Sequence, residues 1–262
     1  MIIEALFIGA FVGIVVGSLG AGGGILSVPI LVYLLGQDPH QATGLSLIIV
    51  GLTAAVSLAT RARGTDVAWR EGSLFALAGL TGTWAGSTLG PLVSASALML
   101  SFCALLGVVA LFMVRSHLSP VSSLPKAPVS QAAPSGVSAL VRVVVLATAT
   151  GFLTGFFGVG GGFAIVPALH LALRYPMKRA SATSLLVMVI TAAFGVVSRS
   201  LAGSFTITAE AGVMVALFTA ASMAGGIVGA RVTTRVPNRV LGLVFAALLV
   251  GVALSTLVAT LS

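Results

Sequence analysis

Charged side chains are scarce in this chain. Only 7% of its 262 residues are Asp, Glu, Lys or Arg, and only five are acidic. Soluble domains carry about 25% charged residues, so the composition excludes an ordinary soluble protein. The single cysteine, Cys103, excludes an intramolecular disulfide and any multi-cysteine metal site. A basic region before the first apolar segment is also lacking, so we expect no cleaved signal peptide.

Apolar residues dominate instead, at 58% of the chain, with a mean hydropathy of +1.19. Runs of the length that crosses a bilayer recur throughout. We predict ten helical segments, at about 2–19, 24–36, 40–60, 70–90, 94–115, 138–157, 161–174, 179–199, 208–231 and 238–260. A Pro-rich stretch at 116–137 divides them into two sets of five. The sequence therefore predicts an all-α polytopic membrane protein with a first transmembrane repeat at 1–115, a cytoplasmic linker and a second repeat at 138–262.

The two halves share a glycine-rich phrase. GIVVGSLGAGGGILSVP at 13–29 recurs 138 residues later as GFLTGFFGVGGGFAIVP at 151–167, with every glycine and the final proline in register. The ungapped alignment continues to Val50 and Met188, with 13 identities in 38 positions. An internal duplication in so apolar a chain is typical of a transporter built from two repeats.

An odd number of crossings in each repeat predicts that the two copies have opposite orientations in the membrane. The formal net charge of +8 comes from basic residues in short loops between apolar runs. These charges are expected to set topology, with basic loops in the cytoplasm and both termini outside, so no nucleic-acid partner is predicted. Arg199 is the exception to this pattern. A re-entrant second or seventh segment would change the terminus assignment.

Those two segments are short. About 13 helical residues span about 20 Å, against about 30 Å of hydrocarbon, so each must begin inside the membrane after its glycine run. A helix start of this kind offers free N–H groups and a positive dipole end to an anion. We predict an anion site formed by the two breaks near the bilayer centre. Its glycines are Gly20, Gly22, Gly23 and Gly24 in the first copy, and Gly158, Gly160, Gly161 and Gly162 in the second.

Close helix packing is the alternative explanation for these glycines. We favour it for Gly13, Gly17, Gly151 and Gly155, and favour the anion site for the denser runs that follow. A dinucleotide-binding interpretation is rejected, because a soluble strand before the glycines and an acidic residue about 20 positions later are both lacking.

Hydroxyl residues open the next long segment in both copies. Thr43 and Ser46 stand in the first, and Ser181, Thr183 and Ser184 in the second. Their hydroxyls could donate to anion oxygens. Bonding to their own helix backbone is the alternative.

Three ionisable residues are candidates for gating or coupling. Arg61 and Arg199 are 138 residues apart and could form matching electrostatic mouths that concentrate anions on each side. Alternatively, Arg61 anchors topology and Arg199 has no role. His170 lies within the short seventh segment and is a candidate for proton coupling, or a neutral histidine bonded to a carbonyl. The acids lie near segment ends, which weakens the alternative of a cation permease. A membrane-embedded enzyme is not expected, since the sequence has no HExxH motif and no paired intramembrane carboxylates.

At these residues the chain resembles the sulfite exporter TauE/SafE family of membrane permeases, also called TSUP. The hallmarks are the doubled G-x-x-x-G-x-x-G-x-G-G-G-x-x-x-x-P phrase, the A-x-x-T-S-L start at 180–185 and the G-G-x-x-G-A-R run at 225–231. Leu45 stands where the threonine of the T-S pair is expected, so the two copies differ there. The likeness covers nearly the whole chain except the linker.

The resemblance implies a permease for sulfite, organosulfonates or related sulfur oxyanions and small organic anions in the bacterial cytoplasmic membrane. Export of an anion down an inside-negative potential gains about 2.3 kcal/mol per charge per 100 mV, so it needs no coupled ion. Proton-coupled uptake of a small organic anion through His170 is the alternative. No cofactor and no metal are expected, and the oligomeric state is left open.

Overall fold

A computed structural model describes residues 2–20, 23–34, 36–62, 67–118, 137–173, 175–202, 209–233 and 236–261. These residues form ten α-helices and no β-strand. The helices are α1 (Ile2–Leu19), α2 (Gly23–Pro29), α3 (Pro39–Arg61), α4 (Trp69–Leu89), α5 (Ala95–Leu118), α6 (Val137–Phe157), α7 (Gly162–Leu173), α8 (Met177–Leu201), α9 (Ala209–Thr233) and α10 (Asn238–Leu261). The predicted all-α class is confirmed. Residues 119–136 of the predicted linker lie outside the described residues.

Membrane embedding is supported by helix length and by the apolar surface. Within the described ranges, Pro39–Arg61, Leu140–Phe157, Met177–Leu201 and Val215–Thr233 are long and apolar enough to cross a bilayer. Large apolar side chains are exposed on the outside, among them Phe7, Phe11, Trp84 and Leu254. Such a surface suits lipid rather than water. The chain therefore has the features of a multi-pass membrane protein, and the assignment of ten crossings stays a prediction.

Local chemistry explains the start of α3, which follows the short helix α2. The last residue of α2 is Pro29, and the chain continues as a π-helical turn at Ile30–Leu34. The helix α3 begins after Asp38, whose Oδ1 accepts hydrogen bonds from the backbone N–H groups of His40 (2.9 Å) and Gln41 (3.4 Å). Pro39 occupies the first helical position, where a missing N–H has no cost.

Glycines bring two helix pairs into close contact. On α1, Gly13 and Gly17 lie directly against the α9 backbone, and a Cβ at either position would overlap it. On α6, Gly151 and Gly155 lie in the same way against α4. The packing role predicted for these four glycines is confirmed. The pairs α1–α9 and α4–α6 occupy corresponding positions in the two sequence repeats, and each joins a helix of one repeat to a helix of the other.

The long helices α3 and α8 run antiparallel through the middle of the protein. The start of α3 contacts the end of α8, where Arg199 Nη1 lies 3.0 Å from Thr43 Oγ1. The end of α3 contacts the start of α8, where Arg61 Nη1 lies 3.0 Å from Ser181 Oγ. Thr43 and Ser181 are 138 residues apart, as are the two arginines. These contacts are matched between the two halves of the chain, and the opposite orientation of the repeats stays a prediction.

Candidate functional site

Two helices end at glycines in the left-handed conformation. Gly20 follows α1 with φ 63°, and Gly158 follows α6 with φ 65°. The Gly20 N–H donates to the Val16 carbonyl at 2.8 Å, and the Gly158 N–H donates to the Thr154 carbonyl at 3.0 Å. Glycine adopts this backbone without the steric penalty that a Cβ imposes, which is why it ends so many helices. The first glycine of each dense run is therefore a helix stop, a role the sequence reasoning did not assign.

The two breaks pack against the opposite repeat and against each other. A Cβ at Gly20 would overlap the Ser181 carbonyl oxygen, and one at Gly158 would overlap that of Thr43. A Cβ at Gly24, in the first turn of α2, would overlap the Val159 carbonyl oxygen of the second break. The structure thus brings the two glycine runs together, as the duplication predicted. Gly22 lies outside the described residues.

Within the second break the glycines are also tightly enclosed. Gly160 and Gly161 both have φ 66°, and Cβ atoms there would overlap Val50 and the Thr154 hydroxyl. The helix α7 begins immediately afterwards at Gly162. The N–H groups of Ala164 and Ile165 donate to the Gly161 carbonyl, so the N–H groups of Gly162 and Phe163 before them have no acceptor within the helix. The role of this buried helix start as an anion site stays a prediction.

All five predicted hydroxyl residues are buried, Thr43 and Ser46 near the start of α3 and Ser181, Thr183 and Ser184 near the start of α8. Ser184 Oγ donates to the Gly20 carbonyl, and Ser46 Oγ donates to the Gly158 carbonyl. Each serine thus bonds the helix-ending glycine of the other repeat. The alternative of bonding within the helix also occurs, because Ser184 Oγ lies 2.8 Å from the Ser181 carbonyl oxygen.

The other hydroxyls are engaged as well. Thr43 Oγ1 donates to the His40 carbonyl at 2.7 Å, and Thr183 Oγ1 accepts from the Ala68 N–H at 3.1 Å. Ser181 Oγ accepts from Arg61. In this conformation the hydroxyls therefore bind protein groups.

The two arginines bond to the ends of the broken helices. Arg61 Nη2 donates to the Ser18 carbonyl at 3.1 Å, in the last turn of α1. Arg199 Nη2 donates to the Gly155 carbonyl at 2.8 Å and the Phe156 carbonyl at 3.4 Å, in the last turn of α6. Cations at these positions satisfy carbonyls that lack helical partners and complement the negative dipole end.

Both guanidinium groups lie inside the fold, with Arg61 9% exposed and Arg199 1% exposed. The structure thus gives each arginine a capping role that the sequence did not reveal, because the helix end it bonds is distant along the chain. Their role as electrostatic mouths stays a prediction.

His170 lies apart from this cluster. It is exposed in the last turn of α7, and its Nδ1 is hydrogen-bonded to the Tyr175 carbonyl oxygen at 2.7 Å. This contact matches the carbonyl-bonded alternative considered for it. Its role in coupling stays a prediction.

One polar residue near the site was missed. Ser87 Oγ of α4 is buried with no hydrogen-bond partner. A Cβ at Gly155 would lie 2.9 Å from it, so it borders the residue whose carbonyl bonds Arg199. The adjacent G-x-x-x-G spacing of Gly82 and Gly86 marks a packing face of α4 but does not identify its partner. No group of three or more His, Cys, Asp or Glu that could hold a metal occurs in the described part of the chain.

Comparison with known proteins identifies the family. The model of the sulfite exporter TauE/SafE family matches residues 5–256. The chain belongs to the TauE/SafE family. It is therefore a transporter-family protein, and no solved structure matches it significantly.

Several relatives of this TauE/SafE protein carry the name "Probable membrane transporter protein". One from Xylella fastidiosa is 37% identical over 193 residues, which cover 72% of this chain and 71% of that protein. YunE of Bacillus subtilis is 31% identical, covering 75% of this chain and 77% of that protein. A protein of Methanocaldococcus jannaschii is 28% identical, with coverage of 74% and 70%.

Proposed function

We propose that this TauE/SafE protein is a permease for small anions, with sulfite, an organosulfonate or a related sulfur oxyanion as cargo. The observation that carries the proposal is the crosswise bonding of the two helix breaks. Ser184 bonds Gly20 and Ser46 bonds Gly158, while the start of α2 contacts the second break. An anion that reached the break would meet free helix N–H groups and serine hydroxyls.

Alternating access follows from the same contacts. The Ser184–Gly20 and Ser46–Gly158 bonds lie towards opposite ends of the antiparallel helices α3 and α8. Rocking one repeat against the other opens one set of contacts while the other stays closed. The released serine hydroxyl then donates to the anion, and its glycine carbonyl is exposed to the opened side. The two breaks, at 20–24 and 158–162, thus serve as a shared binding site.

Export is the direction of transport that requires no coupled ion. One negative charge moving outward gains about 2.3 kcal/mol per 100 mV of inside-negative potential. Uniport through the proposed site therefore suffices, with the protein in a bacterial cytoplasmic membrane. His170, which is exposed and bonded to a backbone carbonyl, has no role in the export proposed here.

Sulfite efflux from proteoliposomes under an imposed potential tests this function. Taurine, thiosulfate and sulfate serve as competitors. We expect saturable, potential-driven efflux from the wild type, reduced about tenfold or more in Ser46→Ala and Ser184→Ala. Ser101→Ala is the matched control, because Ser101 bonds its own helix at the Leu98 carbonyl on the exposed face of α5. Absence of flux for every sulfur oxyanion, in folded protein, would reject the substrate class.

A further inference from the structure

The side chain of Arg199 is enclosed where α4, α6 and α8 meet. We call this place the Arg199 corner and define it by Ser87, Gly90, Gly155 and Arg199. A Cβ at Gly90 would lie 3.4 Å from Arg199 Nη2, and Gly155 offers its carbonyl to the same nitrogen at 2.8 Å. At 1% exposure, Arg199 is the largest fully buried side chain among the described residues. A full positive charge is thus held inside the protein.

Only neutral groups accept the hydrogen bonds of this guanidinium in the described part of the chain. They are the Thr43 hydroxyl and the carbonyls of Gly155 and Phe156. The remaining donor, Nε–H, is buried and has no acceptor. Burial of a cation is costly unless it is both paired and fully hydrogen-bonded. Arg199 therefore lacks one acceptor and a compensating negative charge from these residues.

Ser87 supplies a second donor without an acceptor in the same corner. Its Oγ is buried and has no hydrogen-bond partner, although serines in membrane helices commonly bond their own backbone. It lies next to Gly155 in the last turn of α4, three residues before Gly90, which follows that helix. Two side chains with an unsatisfied donor, Ser87 of α4 and Arg199 of α8, thus both lie beside Gly155.

We propose that Arg199 Nε and Ser87 Oγ together bind a small oxyanion. This inference rests on the proposed function and identifies the residues that hold the cargo next to the second glycine break. Arg199 also bonds the carbonyl of Phe156, two residues before Gly158, so the corner adjoins that break. The anion would accept hydrogen bonds from both of these donors and would also supply the negative charge that the Arg199 guanidinium lacks. Two donors from different helices suit an anion with at least two oxygens better than a spherical halide.

The corresponding place near Arg61 differs in its side chains. Aligning α4 with α9 sets Ser87 against Ala230 and Gly90 against Thr233. Ala230 offers no hydroxyl, and Thr233 Oγ1 already donates to the Ser18 carbonyl at 2.6 Å and the Gly229 carbonyl at 3.0 Å. The α9 residues at the Arg61 end therefore supply no counterpart of Ser87, although the arginines themselves are matched.

Direct binding by the purified full-length protein tests the site. The probes are sulfite and methanesulfonate, titrated calorimetrically in detergent, with chloride as a competitor. Ser87→Ala should raise the dissociation constants of both anions by about 10-fold to 100-fold, which is the effect of losing one hydrogen bond to a charged group. Arg199→Lys keeps the charge but removes Nε–H, and should weaken binding at least as much. Chloride should not compete.

Ser57→Ala is the matched control. Ser57 Oγ is equally buried and without a partner, but it lies against Gly226, one turn from Arg61. Equal affinities of the wild type, Ser57→Ala and Ser87→Ala would overturn the Arg199 corner, even if transport stands. No binding and no flux in folded wild type would overturn both the corner and the proposed function. If Arg199→Lys does not fold, the anion affinity of Ser87→Ala relative to the wild type tests the proposal by itself.

Discussion

Arg199 Nη1 donates to Thr43 Oγ1 at 3.0 Å, and this bond joins the end of α8 to the start of α3. Its counterpart joins Arg61 to Ser181 at the same distance at the other end of these helices. Each arginine also bonds the last turn of a broken helix. The contacts therefore stabilise the helix ends and the association of the two repeats together.

Replacing either arginine with glutamine should destabilise the protein. Each hydrogen bond lost to a charged group costs about 1.5–3 kcal/mol. We expect Arg199→Gln to have the larger effect, because Arg199 is 1% exposed and Arg61 9% exposed. Thermal unfolding in detergent, followed through labelling of the buried Cys103 thiol, measures both. An unchanged unfolding temperature in the two variants would contradict the capping role.

Alanine at the helix-ending glycines should be strongly destabilising. Gly20 and Gly158 have positive φ, and a Cβ at either would overlap a carbonyl oxygen of the opposite repeat. We expect each substitution to cost more than about 1 kcal/mol of unfolding free energy. Gly107→Ala is the control, since Gly107 lies in α5 with nothing within 4 Å of a built Cβ. If Gly158→Ala were as stable as the control, the backbone around Gly158 would have to shift and accommodate the Cβ, which would contradict this prediction.

A disulfide between α3 and α8 should stop transport if these helices move against each other. A Cβ at Gly51 would lie 3.1 Å from Ala192 Cβ, so a small outward shift brings the pair to the Cβ–Cβ separation of about 3.5–4.5 Å that a disulfide spans. In a Cys103→Ala background, oxidised Gly51→Cys/Ala192→Cys protein should lose flux and regain it on reduction. The two single-cysteine variants serve as controls. Wild-type flux in fully cross-linked protein would rule out movement between α3 and α8 during transport.

Removal of the His170 imidazole should leave the pH dependence of flux unchanged. The ring is exposed at the end of α7 and bonds only the Tyr175 carbonyl among the contacts described for it. Efflux from His170→Ala proteoliposomes, measured from about pH 5 to about pH 8, tests this expectation. A shifted pH profile would instead support proton coupling through this residue.

Much of the fold could be predicted from the sequence. The segment predicted at 208–231 is observed as Ala209–Thr233, and the short seventh segment as Gly162–Leu173. Such boundaries are predictable because apolar runs, glycines and prolines act locally on the backbone. The contact between the two glycine runs was also expected, since the duplication places them in equivalent positions.

The partners of the site residues could not be predicted in the same way. Ser184 was expected to donate to an anion, and in this conformation it bonds Gly20, 164 residues away. Arg199 could be matched to Arg61 by alignment, but nothing local showed that it bonds the end of α6. Ser87 was not considered, because its position beside Gly155 depends on how α4 packs on α6.

The sequence by itself determined the apolar helices, their breaks and the repeat, because each depends on side-chain hydrophobicity and backbone freedom along the chain. The tertiary structure alone decided which donors are satisfied. Hydrogen bonds to Gly20, Gly158 and the end of α6 form only once α3 and α8 lie antiparallel. Among the described residues, that packing leaves Arg199 Nε and Ser87 Oγ without hydrogen-bond partners.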